Sequence, residues 1–220
     1  MKKTVKELWK EIFDDYNILE EISKNNYFII TADQIRNYKE PRLMAKFDFS
    51  SQLPNVFKEN KLGILPIKNG EYIIGKFDLF YNLSKTNYDK VEIKNIKLPS
   101  FIETINPDNI YSESNALNVA LLSGMLDDTF NEKLYETIQG KMRTNNFKFN
   151  ISNKEVTTEV EVNGAAIEID GGYESETKVI LVEAKNSMPK DFVIRQLYYP
   201  YRHWNNKWLI KKYKLHFRRT

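Results

Sequence analysis

The sequence has no cysteine in its 220 residues and only two histidines, His203 and His216. Disulfides and cysteine-ligated zinc are therefore excluded, and a centre built from several imidazoles is disfavoured. A hard cation held by oxygen ligands stays open. No stretch approaches the run of about 18 apolar residues that a membrane span requires, so no membrane association is expected. The opening stretch MKKTVKELWKEIFDDY carries charges every few residues and lacks the apolar segment of a signal peptide. Together with the missing cysteines, this leads to the expectation of a cytoplasmic protein. Repeats and low-complexity linkers are also absent.

What is present is a globular composition, 41% hydrophobic and 13% aromatic, on a chain long enough for one large domain or two small ones. The net charge of +3 is unevenly spread. Residues 192 to 220 contain eight Lys or Arg and no acid, so the first 191 residues carry 25 basic against 30 acidic groups. This basic segment is interleaved with Tyr198, Tyr199, Tyr201, Trp204, Trp208, Tyr213 and Phe217, which suits a polyanion with stackable bases. A solvated basic helix and strand with aromatics in a core is the alternative. Arg36, Arg42 and Lys46 form a second basic cluster. It suits phosphates or guanine edges, or else is a solvated helix face.

Apolar spacing predicts one helix over residues 4–24 capped by Thr4, then a short strand YFII. A second helix follows and breaks near Pro41, and a hairpin turns at KNG between Leu62 and Phe80. A boundary is expected between Leu98 and Pro107, separating an N-terminal α+β region, 1–100, from a core domain, 101–220. In the latter, SESNALNVALLSGMLDDTF predicts a helix capped by Ser112 or Ser114. The strands FKFNISN, EVTTEVEV, AAIEIDGGYE and KVILVEAKN come next, with a turn at Asn163-Gly164. KDFVIRQLYYPYRHW returns to helical spacing. The predicted class is α/β (α+β), a mixed sheet flanked by helices.

The chemistry concentrates in EIDGGYESETKVILVEAKN, where Asp170, Glu183 and Lys185 stand at the ends of two apolar strand-like runs. A buried charge costs several kcal/mol unless it is paired or bound to a metal. A hairpin turning at Glu176-Thr177 gives paired numbers that sum to 353, setting Asp170 opposite Glu183 and Glu168 opposite Lys185. Strand alternation puts Glu183 and Lys185 on one face. Opposed carboxylates destabilise a sheet, and a divalent cation between them turns repulsion into binding; oxygen ligands favour magnesium. Such an ion stabilises a phosphodiester transition state, and a neighbouring lysine orients or helps deprotonate the attacking water. The structural alternative makes Glu168 the cross-strand partner of Lys185.

Asp170 followed by Glu183-Ala184-Lys185 at the end of VILV is similar to the D…(D/E)xK motif of the PD-(D/E)xK nuclease superfamily. The stretches ITADQIRNYKEPRLMAKFD, SESNALNVALLSGML, EIDGGYE, LVEAKN and DFVIRQLYYPYRHW, in that order, resemble a family of type II restriction endonucleases from about residue 28 to residue 204. The resemblance implies a PD-(D/E)xK restriction-endonuclease-like core. It also implies that Asp170 and Glu183 bind Mg2+ with the Ala184 carbonyl as third ligand, and that Lys185 positions the attacking water. Glu113 matches an accessory acid of such nucleases, or is a first-turn acid favoured by the helix dipole. Gln196 resembles a helix-borne glutamine that follows ExK, although Tyr201 falls five residues on instead of four; an exposed helix position is the alternative for it and for Arg195. Ile169 stands where a proline usually precedes the first acid. Arg195 and Arg202 join Arg36, Arg42 and Lys46 as candidate DNA contacts.

The activity implied is Mg-dependent cleavage of double-stranded DNA at a specific sequence, by a homodimer with one site per subunit or by a monomer, with a cognate DNA methyltransferase in the same system. Members of that family run longer, which implies a shortened form lacking a C-terminal recognition module. Two other readings stand beside it. One is a repair or recombination nuclease of the same superfamily. The other is a catalytically silent DNA-binding protein using the basic aromatic segment, which has no need of Asp170 beside Glu183.

Overall fold

The computed structural model describes residues 3–83, 97–153, 155–185, 187, 189–205 and 212–219, the last as backbone. Trp208 and the side chains of Tyr213 and Phe217, named above as part of the basic aromatic segment, lie outside the described residues. Helix α1 (Val5–Asp15) starts where Thr4 accepts a hydrogen bond from the Glu7 N–H while Glu7 accepts from the Thr4 N–H. This reciprocal cap satisfies two backbone donors that the helix itself leaves open. The helix predicted to reach residue 24 is two helices. Asn17 takes a left-handed conformation, φ 50°, which asparagine tolerates better than most residues, and α2 (Ile18–Asn25) starts anew behind it.

Strand β1 (Tyr27–Thr31) runs into α3 (Ala32–Arg36), and α4 (Pro41–Met44) opens on Pro41, so the break expected there is present. Proline fits a first helical position because its missing N–H has no partner there anyway. After α5 (Asn55–Glu59), β2 (Gly63–Lys68) and β3 (Glu71–Gly75) form the expected hairpin, with Gly70 at φ 77°. β4 (Phe80–Asn82) follows. Ser112 caps α6 (Glu113–Leu122) by accepting from the Asn115 N–H. The helix predicted to continue is interrupted at Gly124, φ 75°, before α7 (Met125–Phe130).

Strand β5 (Tyr135–Arg143) was not predicted. The strands β6 (Phe147–Ser152), β7 (Thr157–Val162), β8 (Ala166–Glu174) and β9 (Lys178–Lys185) were. The predicted last helix begins late: Asp191–Val193 is strand β10, and α8 spans Arg195–Asn205. β11 covers Lys212–Arg219.

The chain thus has a mixed α/β fold with small sheets and packed helices, divided into two compact units that are not continuous in sequence. The first comprises Met1–Asn82, Arg143–Ala166 and Asp191–Arg195; the second comprises Leu83–Met142, Ile167–Lys190 and Gln196–Thr220. In the first, β1, β3 and β2 form an antiparallel sheet, β6 pairs with β7, and β10 pairs with β4. Its core is aromatic: Phe57 meets Trp9 and Phe13 edge-on at 4.9 and 5.1 Å, and the Trp9 indole donates to the Met44 carbonyl at 2.8 Å. Edge-on contacts place positive ring edges against negative faces, which adds to the gain from burial.

The second unit is built on a four-stranded mixed sheet, β11-β9-β8-β5, with β11 parallel and β8 antiparallel to β9. Alternation along β9 feeds two cores. Ile180, Val182 and Ala184 join Tyr173 and residues of α6 and α7, including Leu117 and Phe130. Val179 and Leu181 join Ile138 and Ile169, against which Tyr201 and Trp204 of α8 pack. Helical residues therefore back both faces of this sheet. Among the described residues no helix is long and apolar enough to cross a membrane.

Candidate functional site

The charged cluster lies wholly within the second unit, at the end of the β8–β9 hairpin away from its turn. The register is the one predicted: Gly171 pairs with Val182, Gly172 with Leu181, Tyr173 with Ile180 and Glu174 with Val179. The ladder runs from Glu174 to Gly171, one step short of Asp170 and Glu183. At that point the Asp170 Oδ2 accepts a hydrogen bond from the Ala184 N–H at 2.9 Å. Glu183 and Lys185 share a face as alternation requires, and the Lys185 ammonium donates to Glu183 Oε1. The same oxygen accepts from the Gln196 amide of α8.

Both members of the pair are buried, Glu183 4% and Lys185 8% exposed. Such a pair is tolerated only because each charge offsets the other's lost hydration. Burial pulls the Lys185 ammonium down, but the Glu183 carboxylate, with Glu113 and Asp170, outweighs it and holds the group above its ordinary value. Burial pushes the Asp170 carboxyl above its ordinary value; the Ala184 N–H and Lys185 oppose the rise, and Glu113 and Glu168 add to it. Glu113, in the first turn of α6, is therefore near enough for its charge to act on both Asp170 and Lys185.

The alternative partner for Lys185 does not engage it. Glu168 lies half exposed with its carboxylate 3.8 Å from Lys141, while Lys185 is held by Glu183. Five predicted site residues thus fall into two hydrogen-bonded groups, Asp170 with Ala184 and Glu183 with Lys185 and Gln196, which the backbone of β9 joins, and Glu113 is coupled to Asp170 and Lys185 through charge. The candidate DNA contacts are more scattered. Arg36 pairs with Asp33, Arg42 is exposed, and Lys46 stands 3.9 Å from Asp48. Burial pushes the half-buried Tyr72 hydroxyl above its ordinary value, and the charges of Arg195 and Arg36 oppose the rise. Arg202 of the second unit donates to the Tyr198 hydroxyl at 2.8 Å, one helical turn back, with its guanidinium 5.7 Å from the ring centre.

Among the described residues no three His, Cys, Asp or Glu side chains gather closely enough to hold a metal. The donor set fits a hard cation in a different way. Magnesium is commonly held by one or two carboxylates, the rest of its shell being water and substrate phosphate. Asp170 and Glu183 supply two carboxylates at the same end of the β8–β9 hairpin. Burial raises the Asp170 carboxyl, and positive charge placed beside it would favour its charged form.

A family described as Domain of unknown function (DUF6997) matches residues 75–219, about two thirds of the chain. The chain belongs to the DUF6997 family. All six residues of the cluster fall in the DUF6997 part, as do Arg195 and Arg202. Arg36, Arg42 and Lys46 fall in residues 6–74, which match a second family described as Domain of unknown function (DUF6996). No curated protein and no solved structure matches the chain.

Proposed function

We propose that this chain is a magnesium-dependent nuclease of the restriction type, hydrolysing phosphodiester bonds in double-stranded DNA at a specific sequence. The observation that carries the reading is the joining of Asp170, Glu183 and Lys185 through Ala184 and one carboxylate oxygen. The resemblance to the D…(D/E)xK motif and the mixed sheet backed by helices support it further.

Asp170 and Glu183, with the Ala184 carbonyl, would hold the magnesium ion, and Glu113 would add negative charge beside them. An ion held there would supply positive charge against the growing negative charge on the phosphate and would favour loss of a proton from the attacking water. Lys185 holds Glu183 in place and offers its ammonium to the water and the phosphate oxygens. Gln196 holds Glu183 from the helix side. In the reaction the water gives up a proton to solvent as its oxygen bonds to phosphorus, and the ester bond to a sugar oxygen breaks. The departing oxygen takes up a proton. Arg36, Arg42, Lys46, Arg195 and Arg202 are proposed phosphate or base contacts, and the homodimer, the cytoplasmic setting and the partnering methyltransferase belong to the same proposal.

The test is incubation of the purified protein with unmethylated phage DNA and magnesium, beside Lys185→Ala and a chelator control. Discrete fragments that vanish in both controls are expected, with the variant at least about 100-fold slower. Preference for branched over linear DNA would favour the repair reading. Binding without cleavage would favour a silent DNA-binding protein. Undiminished cleavage by Lys185→Ala would place the chemistry elsewhere.

A further inference from the structure

The side-chain amide of Gln196 is satisfied at one end only. Its nitrogen donates to Glu183, while its carbonyl Oε1 is buried with no hydrogen-bond donor among the described residues. The orientation follows from the neighbour: turning the amide over would press its oxygen against a carboxylate oxygen and leave the N–H groups behind. A buried acceptor with no donor costs about 1–3 kcal/mol. Folded proteins rarely leave such a group unmet, and ordered water is a common partner. Lys185 donates to the same Glu183 oxygen as the Gln196 nitrogen, so ammonium and amide stand within two hydrogen-bond lengths of each other.

We propose that Gln196 holds the hydrolytic water directly, its Oε1 accepting a hydrogen bond from a water ordered beside the Lys185 ammonium. The inference rests on the nuclease reading for the fate of that water, and on the orphaned oxygen for its presence. The amide takes no proton. It restricts the water's rotation, so that a lone pair is presented to phosphorus instead of to solvent.

Two variants separate this role from tethering Glu183. Gln196→Met keeps the length and removes both polar ends; Gln196→Lys keeps a donor for Glu183 and removes the acceptor. Both are expected to lower the single-turnover cleavage rate about 10- to 100-fold. Duplex affinity, measured by anisotropy in chelator, should stay within about twofold of wild type for both variants, whereas the melting temperature should fall for Gln196→Met, which loses the bond to the buried Glu183 carboxylate. Independently of activity, a high-resolution crystal structure of the metal-free protein should show an ordered water within hydrogen-bond distance of Gln196 Oε1, and none in the Gln196→Met protein. A protein donor on that oxygen overturns the proposal. So does Gln196→Lys cleaving at the wild-type rate, which reduces Gln196 to a tether. Wild-type protein that has the water but never cleaves DNA overturns the nuclease reading and the water's part in it, and is recognised by the water being there.

Discussion

Glu183 and Lys185 would each be driven to the neutral form if buried alone, since the interior cannot replace lost hydration. Together they form a paired group at one end of the β8–β9 hairpin, to which the Gln196 N–H also donates. The turn end has its own carboxylate. Glu132 accepts hydrogen bonds from Ser175 and Thr177 and pairs with Lys178, which holds its carboxyl down to about 2 from an ordinary 4.5. A lowered acid contributes stability that is complete above its ordinary value and is lost as pH falls toward the lowered one. Thermal melts between pH 6 and 2 should therefore show wild type and Glu132→Gln converging below about pH 4.5, after a clear wild-type advantage above it. Parallel curves throughout would remove Glu132 from the account. The triad Asp170, Glu183 and Lys185 was legible because its members lie close in sequence on recognisable strands. Glu132 was not, because its hydroxyl partners lie 43 and 45 positions away.

At the level of elements, β8 carries an irregularity at the point where the chemistry is proposed. Ile169 packs in the cluster that contains Ile138, and a Cβ on Gly172 would also meet Ile138, at 2.6 Å. Positions three apart face opposite ways on a regular strand, so the alternation slips by one residue between them. Asp170 sits in the slip, which accounts for its carboxylate reaching a backbone N–H where the ladder stops. Gly172→Ala should cost about 1–3 kcal/mol in urea unfolding, since the new methyl also meets the Ile138 carbonyl at 3.2 Å. Unchanged stability would mean that Ile138 shifts freely. The hairpins and capped helix starts were legible from turn residues and caps. The breaks at Asn17 and Gly124 were not, because apolar spacing runs on across them. β5 escaped because it lies at the end of its sheet and is largely exposed, so its sequence lacks a full apolar alternation.

At the scale of the whole molecule, the chain passes from one compact unit to the other five times. The boundary between the two family matches, at residues 74 and 75, falls at the end of β3 and coincides with neither unit. Residues 1–74 alone lack β4, β6, β7 and β10, which belong to the first unit. A fragment of residues 75–220 is therefore expected to lack a cooperative melt and a dispersed amide spectrum, since part of it is left without the strands and helices it packs on. A sharp transition in that fragment would show that the later residues fold by themselves.

The interleaving also constrains descent. A recombination event that joins the first 74 residues of one ancestor to the remainder of another builds a first unit of mixed parentage, whose core must then be refitted by later substitutions. The two halves are accordingly expected to travel together between genomes, and their histories, traced separately, should give the same tree.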